Sequence, residues 1–370
     1  MESKIRVAHI MGKMLGGGVE SFVMNYYRNI DKSKIQFDFI VDEDSKYIPK
    51  DEIERLGGRV IIVPPYQHIL RYIKKLKEVF RDNNYKIVHS HINSLSVFPL
   101  YCAKREKIPI RIAHSHSTTN KKEWKKNIIK CILRPFSRVF ANYYFACSKH
   151  AGEWLFGKKF FESGKVEIIR NAIDTNKFCY KTEIRNKIRN ELNLQDKFVV
   201  GHVGRFISQK NHERVLTIFN EILKKNNSAI LLLIGNGPLE SSIKEKVKVL
   251  GIEQNVIFLG IREDVNELFQ AMDVFLFPSL YEGLGMVLIE AQALGLYCIT
   301  STNVPKEANV TNNIEYISLK EDDKYWAKRV IENGKKIVSK EICRANIMKN
   351  GYDISVECKK IEDIYLKLGS

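Results

Sequence analysis

The feature that most limits the fold is a rhythm that runs almost from end to end. Short runs rich in β-branched residues alternate with longer helical patterns, and the series restarts near the middle. Ile5 to Ile10 reads as a strand. The loop Gly16-Gly17-Gly18 follows, and a helix begins near Glu20. Further strands read at 37–41, 60–63, 87–89, 111–114, 144–147 and 166–169. Helices read at 69–81 and 95–105, and Ser148 reads as a helix cap. A second series of strands reads at 199–203, 230–234, 256–259, 274–277 and 297–300. Strands this short, apolar and separated by helices belong to buried parallel sheets. A chain of 370 residues suits two such domains. The expected class is therefore α/β: two doubly wound Rossmann-like domains with an interdomain cleft, where ligands bind beyond the carboxyl ends of strands. The predicted domains are 1–180 and 181–351, with a last helix in 352–370 packing back on the first. The charged stretch 181–197 reads as a linker.

Composition narrows the function classes. With 44% apolar and 28% charged residues, the chain is not disordered as a whole. Its seven cysteines are an odd number without a CxxC pair. That argues against a disulfide scaffold or zinc site and for a reducing, cytoplasmic setting. No apolar run has signal-peptide or membrane-spanning length. The net charge is +17, and residues 102–150 concentrate it, with twelve basic residues against Glu106 and Glu123. Such a surface suits an anionic partner. Lys122, Lys126, Lys130, Arg134 and Arg138 recur every four residues, with Trp124, Ile128, Ile132 and Phe136 interleaved. On a helix this is a cationic stripe beside an apolar arc, able to lie on an anionic membrane surface or to pack on a core with one face solvated. Nucleic acid is not expected, because no binding module is present.

Two segments carry chemistry. In Phe277 to Ala291 a strand ends at Pro278 and a helix starts near Gly285. Gly283 and Gly285 let backbone N–H groups approach a ligand, and the helix start offers free donors to phosphate. Glu282 and Glu290 lie eight residues apart in the same segment. Carboxylates beside a diphosphate suit sugar and ribose hydroxyls; a surface loop with a solvated helix is the plain alternative. In Val203 to Asn211, Arg205 and Lys210 follow the first strand of the second half. Both suit phosphate oxygens, or else are solvated loop cations. The pairs His89/His91 and His114/His116 stand at strand tips of the first half. A metal is not expected there, since no carboxylate or cysteine adjoins them. Asp42-Glu43-Asp44 reads as a surface turn, and Gly235-Asn236-Gly237 is weak evidence for NAD.

Taken in order, Gly17-Gly18-Val19-Glu20, Asn171-Ala172-Ile173-Asp174, Gly204-Arg205, Lys210, Gly235-Asn236-Gly237-Pro238 and Glu282-x7-Glu290 resemble the GT-B retaining glycosyltransferases of family 4. Ser301-Thr302-Asn303, where the family has a glycine-rich turn, and Gly351-Tyr352-Asp353-Ile354 resemble its bacterial capsule and exopolysaccharide subgroup. The resemblance implies a hexosyltransferase using a nucleotide-sugar, with UDP the expected nucleotide. It needs no cofactor and no metal. The implied acceptor is a glycan on a polyprenyl diphosphate, met at the inner face of the plasma membrane. Arg205 and Lys210 would hold the donor diphosphate, Glu282 the sugar hydroxyls and Glu290 the ribose. Gly283, Leu284, Gly285, Met286 and Val287 would line sugar and phosphate through their backbone. Gly17, Gly18 and Gly237 would approach the donor closely, and Arg262 would flank the base. His116 would be the cleft histidine, with His114 the alternative. Two other functions on the same fold are a sugar-nucleotide epimerase and a partner subunit that binds nucleotide-sugar without catalysis. The retained Arg205, Lys210, Glu282 and Glu290 argue against the second.

Overall fold

The computed structural model describes residues 4–116, 132–336 and 338–369. The chain divides into two compact units, Met1–Ala172 with Ile354–Ser370, and Ile173–Asp353. The first unit holds seven parallel strands in the order β3-β2-β1-β4-β5-β6-β7. They are β1 Ile5–Gly12, β2 Ile35–Asp42, β3 Arg59–Val63, β4 Ile87–Ser90, β5 Ile110–Ser115, β6 Tyr143–Ala146 and β7 Val166–Ile168. The second unit holds six in the order β10-β9-β8-β11-β12-β13. They are β8 Val199–Val203, β9 Ile230–Ile234, β10 Val256–Gly260, β11 Val274–Phe277, β12 Tyr297–Ser301 and β13 Ile314–Ile317. Strand order reverses between β1 and β4 in one sheet and between β8 and β11 in the other. Those reversals open crevices at the carboxyl ends of the strands.

Both faces of each sheet are buried, which is why the strands read as unbroken apolar runs. Val7, Phe37, Phe39 and Ile112 enter one core of the first unit, while Ala8, Ile10, Ile40 and Ala113 enter the core on the other face. The last helix, Ile354–Gly369, closes the first of these with Ile354, Cys358, Ile361 and Tyr365. Ser148 caps the helix Lys149–Phe156, its hydroxyl accepting from the Ala151 N–H at 3.2 Å.

The stretch read as a linker is instead the helix Thr182–Glu191. Its two arginines point inward to fixed acceptors. Arg185, half-buried, donates to Asp273 at 2.6 Å and to the carbonyl of Gln270 at 2.8 Å. Arg189, which is buried, donates to the carbonyl of Ala271 at 2.8 Å. A polar sequence here means satisfied burial, not free chain. The unit boundary falls at 172/173 rather than 180/181. Ile173 bridges to Asp353, its N–H donates to the Tyr352 carbonyl at 2.9 Å, and Thr175 hydrogen-bonds the Asp353 carboxylate. Segment 173–180 is thereby tied to the second unit.

Candidate active site

The loops after β8 and β11 flank the reversal of the second sheet, and they are stitched together. The Leu280 N–H donates to the Gln209 carbonyl at 2.9 Å, and the Asn211 side chain donates to the Pro278 carbonyl at 3.0 Å. From the far side, Ser301 donates to Ser279 O at 2.5 Å and Asn303 to Leu280 O at 2.9 Å. The Ser-Thr-Asn segment that replaces a glycine-rich turn therefore holds the acidic loop with side chains. Residues separated by more than seventy positions meet as a result. The Lys210 ammonium is 2.8 Å from Glu282 Oε1, and Gln209 donates to Glu282 Oε2 at 3.2 Å. Lys210 also lies 4.7 Å from the centre of the Phe277 ring. The pair is largely buried, with side chains 17% and 7% exposed. Arg205 is exposed and has no side-chain partner among the described residues.

Gly285 caps the helix Met286–Ala293 with φ +84, a left-handed conformation that glycine adopts without strain. Glu290 sits in the second turn of that helix and has no side-chain partner among the described residues. Burial pushes its carboxyl up to about 7, against the pull of Lys210. Its neighbour Gln292 is fully used, bridging Leu288 and Ala308 carbonyls and the backbone of Val310 and Thr311. One polar side chain of the helix holds structure and the other stands ready. Gly283 is exposed, and Leu284, Met286 and Val287 are half-buried beside it.

Three of the expected donor contacts look different in the fold. A Cβ at Gly237 would stand 2.5 Å from Phe206 O, so this glycine locks two loops together. Arg262 is exposed and engages Asp264 at 2.5 and 2.7 Å. The Gly17 N–H donates to Glu20 at 3.0 Å, as does Leu15 N–H at 2.8 Å. Gly18 begins the helix Gly18–Asn29 with open space at its Cα. It is Gly16, with φ +75, whose conformation demands glycine.

In the first unit the reversal between β1 and β4 is lined by histidines. His9 on β1 pairs in register with His89 on β4. His9 Nδ1 lies 2.9 Å from His91 Nε2, and His91 Nδ1 lies 2.8 Å from His116 Nε2. His89 Nε2 lies 3.0 Å from His114 Nδ1, and His89 Nδ1 lies 2.6 Å from the Tyr365 hydroxyl. Phe22 sets its edge against His114 and His116, with ring centres 5.1 and 4.9 Å away. The His116 N–H is held by Asn93 at 2.9 Å. His114 is fully buried and His116 is the one of the five that reaches the surface. Burial keeps all five rings neutral, with His9 and His116 down at about 3. The nitrogens of His9, His89 and His91, and those of His91, His114 and His116, lie within 4.8 Å of one another. Spacing alone showed two separate pairs. His9, which extends the His91–His116 link into the sheet, was missed, although a histidine inside an apolar strand was a visible signal.

The stretch expected to form a basic helix is only partly described. Lys121, Lys122, Trp124, Lys125, Lys126, Ile128 and Lys130 lie outside the described residues. Beyond them Pro135 opens a 3-10 turn, and Arg134 and Arg138 lie over the rings of Trp154 and Phe160 at 5.9 and 5.0 Å.

Known proteins are similar to this chain over nearly its whole length. Residues 184–353 match the glycosyl transferases group 1, and residues 16–177 match glycosyltransferase family 4. EpsF of Bacillus subtilis, assigned as a glycosyltransferase, is 32% identical over 98% of this chain and 97% of its own. A UDP-Gal:α-D-GlcNAc-diphosphoundecaprenol α-1,3-galactosyltransferase of Escherichia coli is 24% identical over 99% of this chain and 98% of its own. HepE of Anabaena, crystallised with UDP and glucose, superposes with a TM-score of 0.81 at 16% identity, covering 97% of this chain and 99% of its own. The loop pairing that brings Lys210 to Glu282 is thus set in a chain that belongs to the GT-B glycosyltransferases of family 4, an enzyme of the capsule and exopolysaccharide group.

Proposed function

We propose that the protein moves a hexose from a UDP-sugar to a glycan carried on a polyprenyl diphosphate, with retention at the anomeric carbon and without a metal. The observation that carries this is the set of groups at the reversal of the second sheet: an unpartnered Arg205, Lys210 held by Glu282, and Glu290 a turn and a half into the adjoining helix. Cleaving the anomeric C–O bond sends an electron pair to the departing diphosphate. Stabilising that charge is the main demand of the reaction. Arg205, Lys210 and the N–H groups at the start of the helix Met286–Ala293 supply it. Glu282 then turns to the sugar hydroxyls and Glu290 accepts from the ribose. The acceptor hydroxyl attacks the face the diphosphate leaves, and its proton passes to the departing phosphate oxygen. No protein nucleophile is needed. UDP is favoured because two proteins similar to this chain carry it in their names, one with a diphosphoundecaprenol acceptor.

No helix among the described residues is long and apolar enough to cross a membrane. Peripheral contact has support in Ile132, Phe136 and Val139, which are 61%, 49% and 51% exposed beside Arg134 and Arg138. Apolar and cationic groups side by side suit an anionic interface. Incubating the enzyme with labelled UDP-hexoses and a diphosphoundecaprenol-linked sugar tests the reading. A labelled lipid product with the donor's anomeric configuration is expected. No transfer from any UDP-hexose, by folded protein that shows no thermal stabilisation by UDP, would overturn it.

A further inference from the structure

We propose that His9 and His91 are positioning residues that hold His116 in its Nδ1–H tautomer, so that the ring offers a hydrogen-bond donor, and not a base, at the end of β5. The four links described above join rings head to tail: the Nδ1 of His9, His91 and His114 each faces the Nε2 of the next ring, that of His89 faces the Tyr365 hydroxyl, and that of His116 is the open end. A neutral imidazole has one donor and one acceptor, so fixing the proton on one ring fixes it on every ring in the chain. The buried end decides the direction. His9 Nε2 is buried and has no partner among the described residues. A buried N–H without an acceptor is rarer, and costs more, than a bare lone pair. His9 Nε2 is therefore the bare nitrogen, and its proton sits on Nδ1.

From His9 the chain then runs one way. His9 Nδ1–H donates to His91 Nε2, and His91 Nδ1–H donates to His116 Nε2. The proton left on His116 is on Nδ1, at the one ring that reaches the surface. In the second chain, His114 through His89 to the Tyr365 hydroxyl, either direction leaves one buried donor unmet, on His114 Nε2 or on Tyr365, so only the first chain is fixed by its buried end. The three rings of the first chain take the Nδ1–H form, the reverse of the preference of free histidine in water. The same contacts weigh against a cation. His91 spends both ring nitrogens on neighbours, and links of 2.8–3.0 Å are hydrogen-bond distances. Two ligands of one tetrahedral zinc would stand about 3.3 Å apart, from Zn–N lengths of roughly 2.0–2.1 Å.

The consequence for turnover rests on the glycosyltransferase reading above. A neutral N–H binds an oxygen of substrate, a hydroxyl or a phosphate, and cannot take its proton. Deprotonation then stays with the departing phosphate.

Nitrogen-15 NMR of histidine-labelled protein reads the tautomers directly. The expected spectrum shows His9, His91 and His116 as Nδ1–H rings that do not titrate between pH 5.5 and 8. An Nε2–H signal for His116, or one zinc per chain in the protein as purified, would overturn the proposal. Two variants separate positioning from packing. His91→Gln keeps one acceptor and one donor, whereas His91→Phe keeps the bulk and breaks the chain. His91→Phe should lower kcat about tenfold, the loss of one neutral hydrogen bond, leave KM for the donor unchanged, and give His116 a mixed tautomer. His91→Gln should restore both readouts. Equal activity in the two variants would overturn the positioning role. UDP binding on the same samples tests the second unit by itself: its absence would sink the glycosyltransferase reading, while the ring tautomers would still decide this one.

Discussion

The two sheet reversals are furnished with different materials. In the second unit the polar groups are ions: Lys210 against Glu282, with Arg205 on the same loop unpaired among the described residues. In the first they are five neutral rings and a phenol, joined in two chains. Both lie where a parallel sheet leaves a crevice, so the fold sets the place and the side chains set the chemistry. Ions can meet charge that develops during a reaction. A chain of neutral rings has direction instead; it can present a donor or an acceptor without adding net charge. The contrast predicts that substitutions in the second unit act on the leaving group and cost far more than those in the first.

Lys210→Ala is the harshest break. Loss of one group aimed at developing charge costs about 10²–10³ in kcat. It also leaves the Glu282 carboxylate facing only Gln209, so melting temperature should fall. Adding Glu282→Gln should recover the melting temperature and leave kcat low. Recovery of both would show that Lys210 serves stability alone. Next in size is the dependence on pH set by Glu290. Its carboxyl titrates near 7 in the fold against an ordinary value of 4.5. The folded form holds the extra proton between those values, so the stability Glu290 contributes falls as pH rises through that window. Ribose hydroxyls are better met by the ionised form. UDP affinity should therefore rise between pH 6 and 8 by more in the native protein than in Glu290→Gln, as calorimetry would read. Parallel curves for the two would remove Glu290 from the site.

His116→Ala should cost only about tenfold in kcat, the scale of one neutral hydrogen bond. A loss of 10³ or more would mean that the ring does acid–base work and that the two reversals are less different than argued. Arg262→Ala should change UDP affinity less than about twofold, because an exposed pair such as Arg262–Asp264 contributes little. EDTA should change nothing; full loss restored by Mn²⁺ would end the metal-free account.

How much could be read beforehand follows the same divide. Five of the six strands after residue 198 read almost to the residue, because buried parallel strands are apolar on both faces; the edge strand β13, Ile314–Ile317, with Glu315 and Tyr316 half-buried at its centre, did not. Arg205, Lys210, Glu282 and Glu290 were visible because each lies in a short motif within one loop. Their hold on one another was not. It depends on Asn211, Ser301 and Asn303, whose side chains bond backbone in other loops, and on Gln209, whose side chain reaches Glu282, and none of these leaves a periodic mark. The helix Thr182–Glu191 was hidden by charge, since the half-buried Arg185 and the buried Arg189 are held by pairing and not by hydrophobicity. The histidine chains escaped for a third reason: each strand gives one or two members, and only the sheet order β1-β4-β5 sets them side by side.

The last helix bears on how the molecule is made. Ile354–Gly369 completes the core of a unit that begins at the other end of the sequence, and it brings Tyr365 to His89. A chain emerging from the ribosome folds its early segments first. Here the unit encoded in the middle is contiguous and has all its residues available while the first still lacks its closing helix. The opening 172 residues must wait, with that core incomplete, until residues 354–369 have been made. A truncation after Cys358 would spare every residue of the proposed donor site and still leave the histidines without their phenol. The first unit thus becomes whole only after the second has been synthesised.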